Sequence, residues 1–161
     1  MRIGISGHQR LRPGSRDWAW IDAAMEDVAR RHGINVVVSA LAGGADQHFV
    51  RVAMTLGALL TAVIPCRDYA DAFAEPAERA AYEALLAQAA TIHHLDRPVC
   101  DQSAFMAAGE YVVAHCDLLV VLWDGQPSQG LGGTADVVAC AARSERRVVH
   151  INPQNGVVAF R

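Results

Sequence analysis

The chain has 161 residues, of which 52% are hydrophobic and 19% are charged, and its formal net charge is −3. This composition is typical of a globular protein and excludes a disordered chain; the length predicts one domain over residues 1–161. The acidic balance argues against a protein whose main task is to coat nucleic acid, and no apolar run is long enough for a membrane span.

Short apolar segments alternate with longer amphipathic ones along the chain. The predicted strands are 2–6, 35–40, 59–64, 91–95, 117–123 and 147–151. The predicted helices are 15–32, 44–56, 75–89, 101–114 and 133–144. This alternation predicts an α/β fold, a Rossmann-like three-layer sandwich with a mostly parallel central sheet. The tail after Asn152 either lies on the surface or adds an edge strand.

The cysteines and the N-terminus predict a cytoplasmic protein. Cys66, Cys100, Cys116 and Cys140 form no C-x-x-C pair and have no metal-ligand spacing. We therefore expect four small hydrophobic residues in a reducing compartment, and we predict no metal and no cofactor. The N-terminal residues enter a strand directly, without the features of a signal peptide.

The first turn, residues 6–10, follows the first predicted strand. In open parallel sheets, ligands bind where strands end and turns into helices begin. Gly7 would let backbone approach a ligand, while His8 and Arg10 would offer hydrogen bonds and positive charge. The alternative, that Gly7 only permits a tight turn and Arg10 is solvated, stays open.

The second turn, residues 39–46 with the sequence SALAGGAD, leads from a strand into a helix. Gly43 and Gly44 stand at the helix N-terminus, where unpaired N–H groups attract phosphate. Ser39 would add a hydroxyl. Asp46 would either accept a hydrogen bond from a ribose hydroxyl or simply complement the helix dipole.

The third turn, residues 123–136, is long for a connection between packed elements, and long ordered loops tend to be functional. A flexible surface loop is the alternative. The third turn offers the amides of Gly130, Gly132 and Gly133 for phosphate, Thr134 for phosphate or helix capping, and Asp124 for sugar.

The segments GISGHQRL, SALAGGAD and DLLVVLWDGQPSQGLGGTADVV together resemble the SLOG superfamily, named for the Smf/DprA and LOG groups. The pattern S-x-L-A-x-G-A-D is similar to the DprA-type turn, and D-G-x-x-x-x-G-x-G-G-T resembles the loops of LOG proteins and nucleoside deoxyribosyltransferases. The resemblance covers residues 2–150. It implies a Rossmann-like fold that binds nucleotides or nucleotide-derived signals, or that cleaves N-glycosidic bonds.

One departure from the family pattern bears on catalysis. In the hydrolase and transferase branches, a catalytic glutamate lies three residues after the threonine of the G-T pair, and here that position is Val137. A valine cannot act as nucleophile or general base. If the chain is an enzyme, the acidic group must be Asp136 or Asp124, so enzymatic activity stays uncertain.

Three functions are consistent with the motifs. The first is a ligand-sensing protein that binds a nucleotide or nucleotide derivative through glycine-rich turns. The second is a hydrolase or transferase that acts on the N-glycosidic bond of nucleoside monophosphates. The third, a DprA-like module for single-stranded DNA, ranks last because of the acidic balance and the few aromatic residues. A homo-oligomer, paired through helices as in related folds, stays open.

Overall fold

The computed structural model describes residues 1–128 and 131–160, and within these ranges seven strands form one sheet. The strands are β1 (Arg2–Gly7), β2 (Val36–Ser39), β3 (Leu59–Cys66), β4 (Thr91–Arg97), β5 (Leu118–Leu122), β6 (Arg147–Asn152) and β7 (Val157–Phe160). Their order in the sheet is β4-β3-β2-β1-β5-β6-β7. All neighbouring pairs are parallel except β6 and β7, which are antiparallel.

Helices cover both faces of the sheet. They are α1 (Trp18–Arg31), α2 (Ala45–Thr55), α3 (Pro76–Leu86), α4 (Gln102–Ala114) and α5 (Thr134–Arg143), with a short 3-10 helix at Tyr69–Ala72. Buried residues of α1, α2 and α3, with Ala104 at the start of α4, form one core with the sheet, and the remaining buried residues of α4 and those of α5 form a second core on the opposite face. The predicted Rossmann-like three-layer sandwich with a mostly parallel sheet is confirmed.

The central strand β5 shows why its sequence lacks polar residues. Leu118, Val120 and Leu122 belong to the core under α1–α3, whereas Leu119 and Val121 belong to the core under α4 and α5. All of them are fully buried. Alternate residues of a strand point to opposite faces, so a strand covered on both sides must be apolar throughout.

Two of the predicted element boundaries are decided by helix caps and one by strand pairing. Asp17 accepts a hydrogen bond from the Trp20 amide (2.9 Å), so α1 begins at Trp18 and not at residue 15. Asp101 caps α4 in the same way through the Ala104 amide (2.8 Å), as predicted. The tail after Asn152 forms β7 at the sheet edge, which confirms one of the two alternatives for this segment.

The cysteine prediction is wrong for two residues. Cys66 at the end of β3 and Cys100 just before α4 form a disulfide. They are far apart in sequence, but β3 and β4 are neighbours, so the segment that leaves β4 returns to the end of β3. Cys116 is a buried thiol whose pKa is raised to about 11 by burial, and Cys140 is a second free thiol.

Within residues 1–128 and 131–160, none of the helices is both long enough and apolar enough to span a membrane. Over the same ranges, His, Cys, Asp and Glu side chains form no cluster of three or more that would suit a metal ion.

Candidate functional site

A cleft with a volume of about 600 Å³ lies where the strand order reverses, between β1 and β5. The chain builds the sheet outward from β1 to β4 on one side and then from β5 to β7 on the other. The connections at such a point leave in opposite directions and open a crevice at the carboxyl ends of the strands. Residues of all three predicted turns line this crevice.

The cleft brings together some of the predicted site residues and excludes others. Those that line it are Gly7, His8, Arg10, Asp46, Gly132, Gly133 and Thr134. Those that the structure describes elsewhere are Ser39, Gly43, Gly44, Asp124 and Asp136. Gly130 lies outside the described residues.

Gly7 is required by packing at the base of the cleft. A Cβ atom at this position would lie 2.6 Å from the Cβ of Ala45 and 2.8 Å from the Cβ of Leu122. Three elements, β1, α2 and β5, therefore approach one another closely at Gly7. The next residue, His8, continues the contact, because its amide donates to the Leu122 carbonyl (3.0 Å).

Asp124 follows β5 and lies behind the mouth of the cleft, where it contacts His8, Arg12 and Gln126. Its Oδ1 and its amide nitrogen each lie 3.1 Å from Nε2 of His8, and its Oδ1 accepts from the Gln126 amide (3.0 Å). Its Oδ2 lies 3.0 Å from Nε of Arg12 but out of line for a hydrogen bond, so this contact is an ion pair. Burial acts to raise the pKa of Asp124, but the Gln126 amide, His8 and Arg12 outweigh it and the pKa is lowered.

This cluster places two basic side chains at the cleft, since His8 and Arg12 both line it. Sequence reasoning missed Arg12, which lies two residues beyond the first turn. The signal that would have found it is the pairing of β1 with β5, which brings the ends of the two strands together.

Asp46 holds the second turn in shape. Its Oδ2 accepts from the Ser39 hydroxyl (2.8 Å), and the same hydroxyl accepts from the amide of Leu41, which has a left-handed backbone (φ 58°). Burial raises the pKa of Asp46 to about 7, against the opposing effects of Ser39 and the amides of Ala40 and Ala42. Ser39 therefore supports Asp46 from below and does not reach the cleft.

The glycines of the second turn are covered by other parts of the chain. Gly44 has a φ of 73°, and a Cβ there would lie 2.5 Å from Cα of Gln9. The amide of Ala45, the first residue of α2, donates to the carbonyl of His8 (3.1 Å). A Cβ at Gly43 would collide with the carboxylate of Glu78 from α3. Protein groups therefore occupy the start of α2.

The third turn leaves the start of α5 exposed to the cleft. The helix begins at Thr134 with Gly133 as its N-cap, and the first amide to bond is that of Asp136, which donates to the Gly133 carbonyl (3.0 Å). Within the described residues, the amides of Thr134 and Ala135 make no hydrogen bond, although both residues line the cleft. Unpaired amides at a helix N-terminus suit an anion.

Ser128 adds a polar group beside these amides. Its hydroxyl oxygen is buried and has no hydrogen-bond partner among the described residues. A Cβ at Gly133 would lie 2.6 Å from this oxygen, which shows that the hydroxyl stands directly against the N-cap of α5. The hydroxyls of Ser128 and Thr134 and the two amides thus form one polar corner of the cleft.

On α5, Asp136 and Val137, which occupies the family position of the catalytic glutamate, point in different directions. Asp136 turns toward its own loop, where Oδ2 accepts from the Gly132 amide (3.0 Å), and it does not line the cleft. Val137 does line the cleft and packs against α4, because a Cβ at Gly109 would lie 2.7 Å from its Cγ2. The helix position that faces the cleft is therefore apolar.

An apolar wall of the cleft is formed by α4 and the end of β3. Phe105 is partly exposed there, and its ring lies 6.3 Å from that of Tyr69, within a group of packed aromatic rings. Pro65, Ala108 and Val112 continue the same wall. A flat apolar surface of this kind suits a ring system.

Comparison with known proteins finds no matching family model and no matching curated sequence. Among solved structures, DNA processing protein A (DprA) from Helicobacter pylori, studied for its single-stranded DNA binding mode, superposes with a TM-score of 0.64 at 17% identity over 93% of this chain and 64% of that one. DprA from Streptococcus pneumoniae gives a TM-score of 0.62 at 17% identity over 92% of this chain.

A molybdenum cofactor binding protein from Rippkaea orientalis gives a TM-score of 0.58 at 16% identity, over 94% of this chain and 76% of that chain. The chain thus spans 64% and 49% of the two DprA proteins. At this identity the likeness establishes the fold. The chain shares a Rossmann-like fold with these structures.

Proposed function

We propose that the chain binds a nucleotide or a nucleotide-derived anion in the cleft between β1 and β5. The observation that carries this proposal is the free start of α5. The amides of Thr134 and Ala135, which make no hydrogen bond within residues 1–128 and 131–160, belong to the same cleft as the imidazole of His8 and the guanidinium cations of Arg10 and Arg12. Amides and cations that converge on one crevice favour a ligand with a phosphate.

Each part of such a ligand has a suitable surface. The polar corner at Ser128 and Thr134 would take the phosphate, and the apolar wall at Phe105 would take the base. Of the two acids considered for the sugar, only Asp46 lines the cleft, so we assign the sugar to its side. Among proteins of this fold, H. pylori DprA is studied for its single-stranded DNA binding and the Rippkaea orientalis protein binds a molybdenum cofactor, and both support a ligand-binding role for this chain.

A single added charge tests the proposal. Ala135→Asp places a carboxylate in the first turn of α5, where it complements the helix dipole and so preserves the helix. The same carboxylate repels an anion at the free amides. We expect nucleotide affinity, measured by isothermal titration against mono-, di-, tri- and cyclic nucleotides, to fall by about 10-fold or more, as for loss of a charge-assisted contact of 1.5–3 kcal/mol.

Ala139→Asp is the matched control. It adds the same charge one turn further along α5, at an exposed position that does not line the cleft. Its affinity should stay close to that of the wild type. Equal losses in both variants, or a wild type that is folded and binds no member of the panel, would contradict the proposal.

The N-glycosidic hydrolase alternative receives less support from the site. The family position for the catalytic glutamate is filled by Val137, and the neighbouring Asp136 bonds its own loop. Asp124 is engaged by His8 and Arg12 behind the cleft. We therefore propose binding without bond cleavage. If the wild type releases free base from a nucleoside monophosphate and Asp136→Asn abolishes that release, the hydrolase becomes the better supported function.

Single-stranded DNA is the second candidate ligand, and the likeness to H. pylori DprA is the observation that favours it. The prediction that ranks a nucleic-acid ligand last is not supported by the comparisons. Fluorescence anisotropy with a labelled oligothymidylate at several salt concentrations separates the two candidates. Strand binding predicts an affinity that falls steeply with salt, because phosphate contacts release counterions.

A further inference from the structure

Arg10 lies between two cavities and is already paired. It lines the main cleft and also a smaller cavity of about 290 Å³ between the starts of α1, α2 and α3. Its guanidinium contacts the Glu78 carboxylate through Nη1, and Nη2 lies 3.3 Å from Oε2 of the same residue. The cation that the cleft offers to an anion is therefore engaged by an acid from α3.

Glu78 is held in this position by a hydrogen bond from Gln47 and by the space that Gly43 leaves. The buried amide of Gln47 donates to the carbonyl of Glu78 (2.9 Å) and to that of Leu41 (3.2 Å), and so fixes the first turn of α3 against the second turn. Gly43 leaves the space that the Glu78 carboxylate fills, since a Cβ there would collide with it. Backbone and side chain of Glu78 are thus both located.

The two partners differ in freedom. The side chain of Arg10 is 58% exposed, whereas that of Glu78 is 20% exposed. Apart from Glu78, the guanidinium bonds only the adjacent Gln9 carbonyl (3.1 Å) among the described residues. Arg10 can therefore turn toward a ligand while Glu78, whose side chain is mostly covered, stays in place without its partner.

We propose that Glu78 is an internal competitor for the anionic group of the ligand. Its carboxylate holds Arg10 in the ligand-free protein, and a phosphate in the cleft takes Arg10 from it. Glu78 thereby lowers the affinity for anions and restricts binding to ligands whose phosphate, held at the polar corner, attracts Arg10 away from Glu78. The inference rests on the proposed function, because it assumes that the ligand is an anion.

A double-mutant cycle tests the competition. Glu78→Gln removes the charge and keeps the shape, Arg10→Gln removes the cation, and the double variant completes the cycle. Glu75→Gln is the matched control: Glu75 precedes α3 and lies near enough to interact with Arg10 at long range, but it forms no ion pair with it. Titration uses the 5′-monophosphates of adenosine, guanosine, cytidine and uridine.

We expect Glu78→Gln to raise affinity by about 2- to 5-fold, the size of an exposed ion pair, and Glu75→Gln to change it by less. In the Arg10→Gln background, Glu78→Gln should have little effect, because there is no cation to release. Equal gains from both glutamates, or a gain that persists without Arg10, would show a general field effect and overturn the inference. A loss of affinity in Glu78→Gln would show that Glu78 positions Arg10, which also overturns it.

These outcomes are separate from a failure of the proposed function. If the wild type binds a nucleotide and Glu78→Gln leaves its affinity unchanged, only the competition is wrong. If neither the wild type nor Glu78→Gln binds any of the four monophosphates or any di-, tri- or cyclic nucleotide of the wider panel while both are folded, the proposed function fails and the competition fails with it.

Discussion

The second and third turns carry similar sequence signals and have different surroundings. Each places two glycines directly before a helix, Gly43-Gly44 before α2 and Gly132-Gly133 before α5. At α2 the first amide bonds the His8 carbonyl, and a carboxylate covers Gly43. At α5 the first two amides are free within the described residues. A glycine pair before a helix thus indicates that another group comes close to the backbone there. The neighbouring elements determine whether that group belongs to the protein or to a ligand.

The neighbours differ because of sheet order. The second turn follows β2, which lies beside β1, so the first turn and α3 both reach it. The third turn follows β5, on the other side of the point where the strand order reverses, and its Gly132 approaches the start of α4, where a Cβ would lie 2.9 Å from the Gln102 carbonyl oxygen. Asp46, Glu78 and the disulfide all maintain the covered state of the second turn, and each offers a way to test this contrast.

The largest expected effect is a pH dependence that originates in Asp46. Its pKa is about 7 in the folded protein against an ordinary value of 3.8, so between these values the native state keeps a proton that the unfolded chain has released. Stability should therefore fall as pH rises from about 4 to about 7 and then level off, by about 4 kcal/mol at most.

Urea unfolding of the wild type and of Asp46→Asn at pH 5 and pH 8 measures this effect. The neutral variant should lose less stability over that interval, and the contributions of other titrating groups cancel in the difference. Identical pH dependence in the two proteins would mean that Asp46 is ionised in the fold.

The next largest effect is on the free energy of unfolding and originates in the disulfide that encloses α3. The Cys66–Cys100 disulfide has a sequence separation of 34 and encloses α3, which brings Glu78 to the second turn. Replacing both cysteines by serine should lower the free energy of unfolding by about 3 kcal/mol, mainly because the unfolded chain is released. Dithiothreitol should lower the stability of the wild type similarly and leave the variant unchanged. A variant as stable as the oxidised wild type would contradict this prediction.

The smallest expected effect is on the stability of two glycine variants, Gly44→Ala in the second turn and Gly133→Ala in the third, which compare the turns directly. At Gly44 the backbone is left-handed and the new Cβ meets the backbone of Gln9, so we expect a loss of about 2–3 kcal/mol. At Gly133 the backbone is extended (φ −73°) and the Cβ meets chiefly the Ser128 side chain, so a loss of about 1 kcal/mol or less is expected. Thermal unfolding of the two variants ranks them, and the reverse order would invalidate the contrast.

The elements of the fold were largely predictable, because their signals are local. Apolar runs such as Leu118–Leu122 and caps such as Asp101 determine strands and helix starts within a few residues of sequence. The start of α1 was misplaced because Ser15 and Asp17 both resemble caps, and only Asp17 accepts the capping hydrogen bond.

The lining of the cleft was predictable where a position at the end of a strand was enough, as for Gly7, Asp46 and Thr134. Gly133 and Thr134 lie in the cleft because the end of β5 brings them there. The cover over Gly43 comes from Glu78, and the partners of Asp124 come from the first turn, at the end of a different strand. Such contacts depend on which strands are neighbours, and that order is not written in any local pattern.

The disulfide also determines how the chain responds to cleavage. Residues 67–99, with the 3-10 helix, α3 and β4, lie between the bridged cysteines. A protease that cuts one bond in this interval leaves both fragments joined through sulfur. The nicked protein would migrate near full length on a non-reducing gel and separate into two fragments only after a thiol is added.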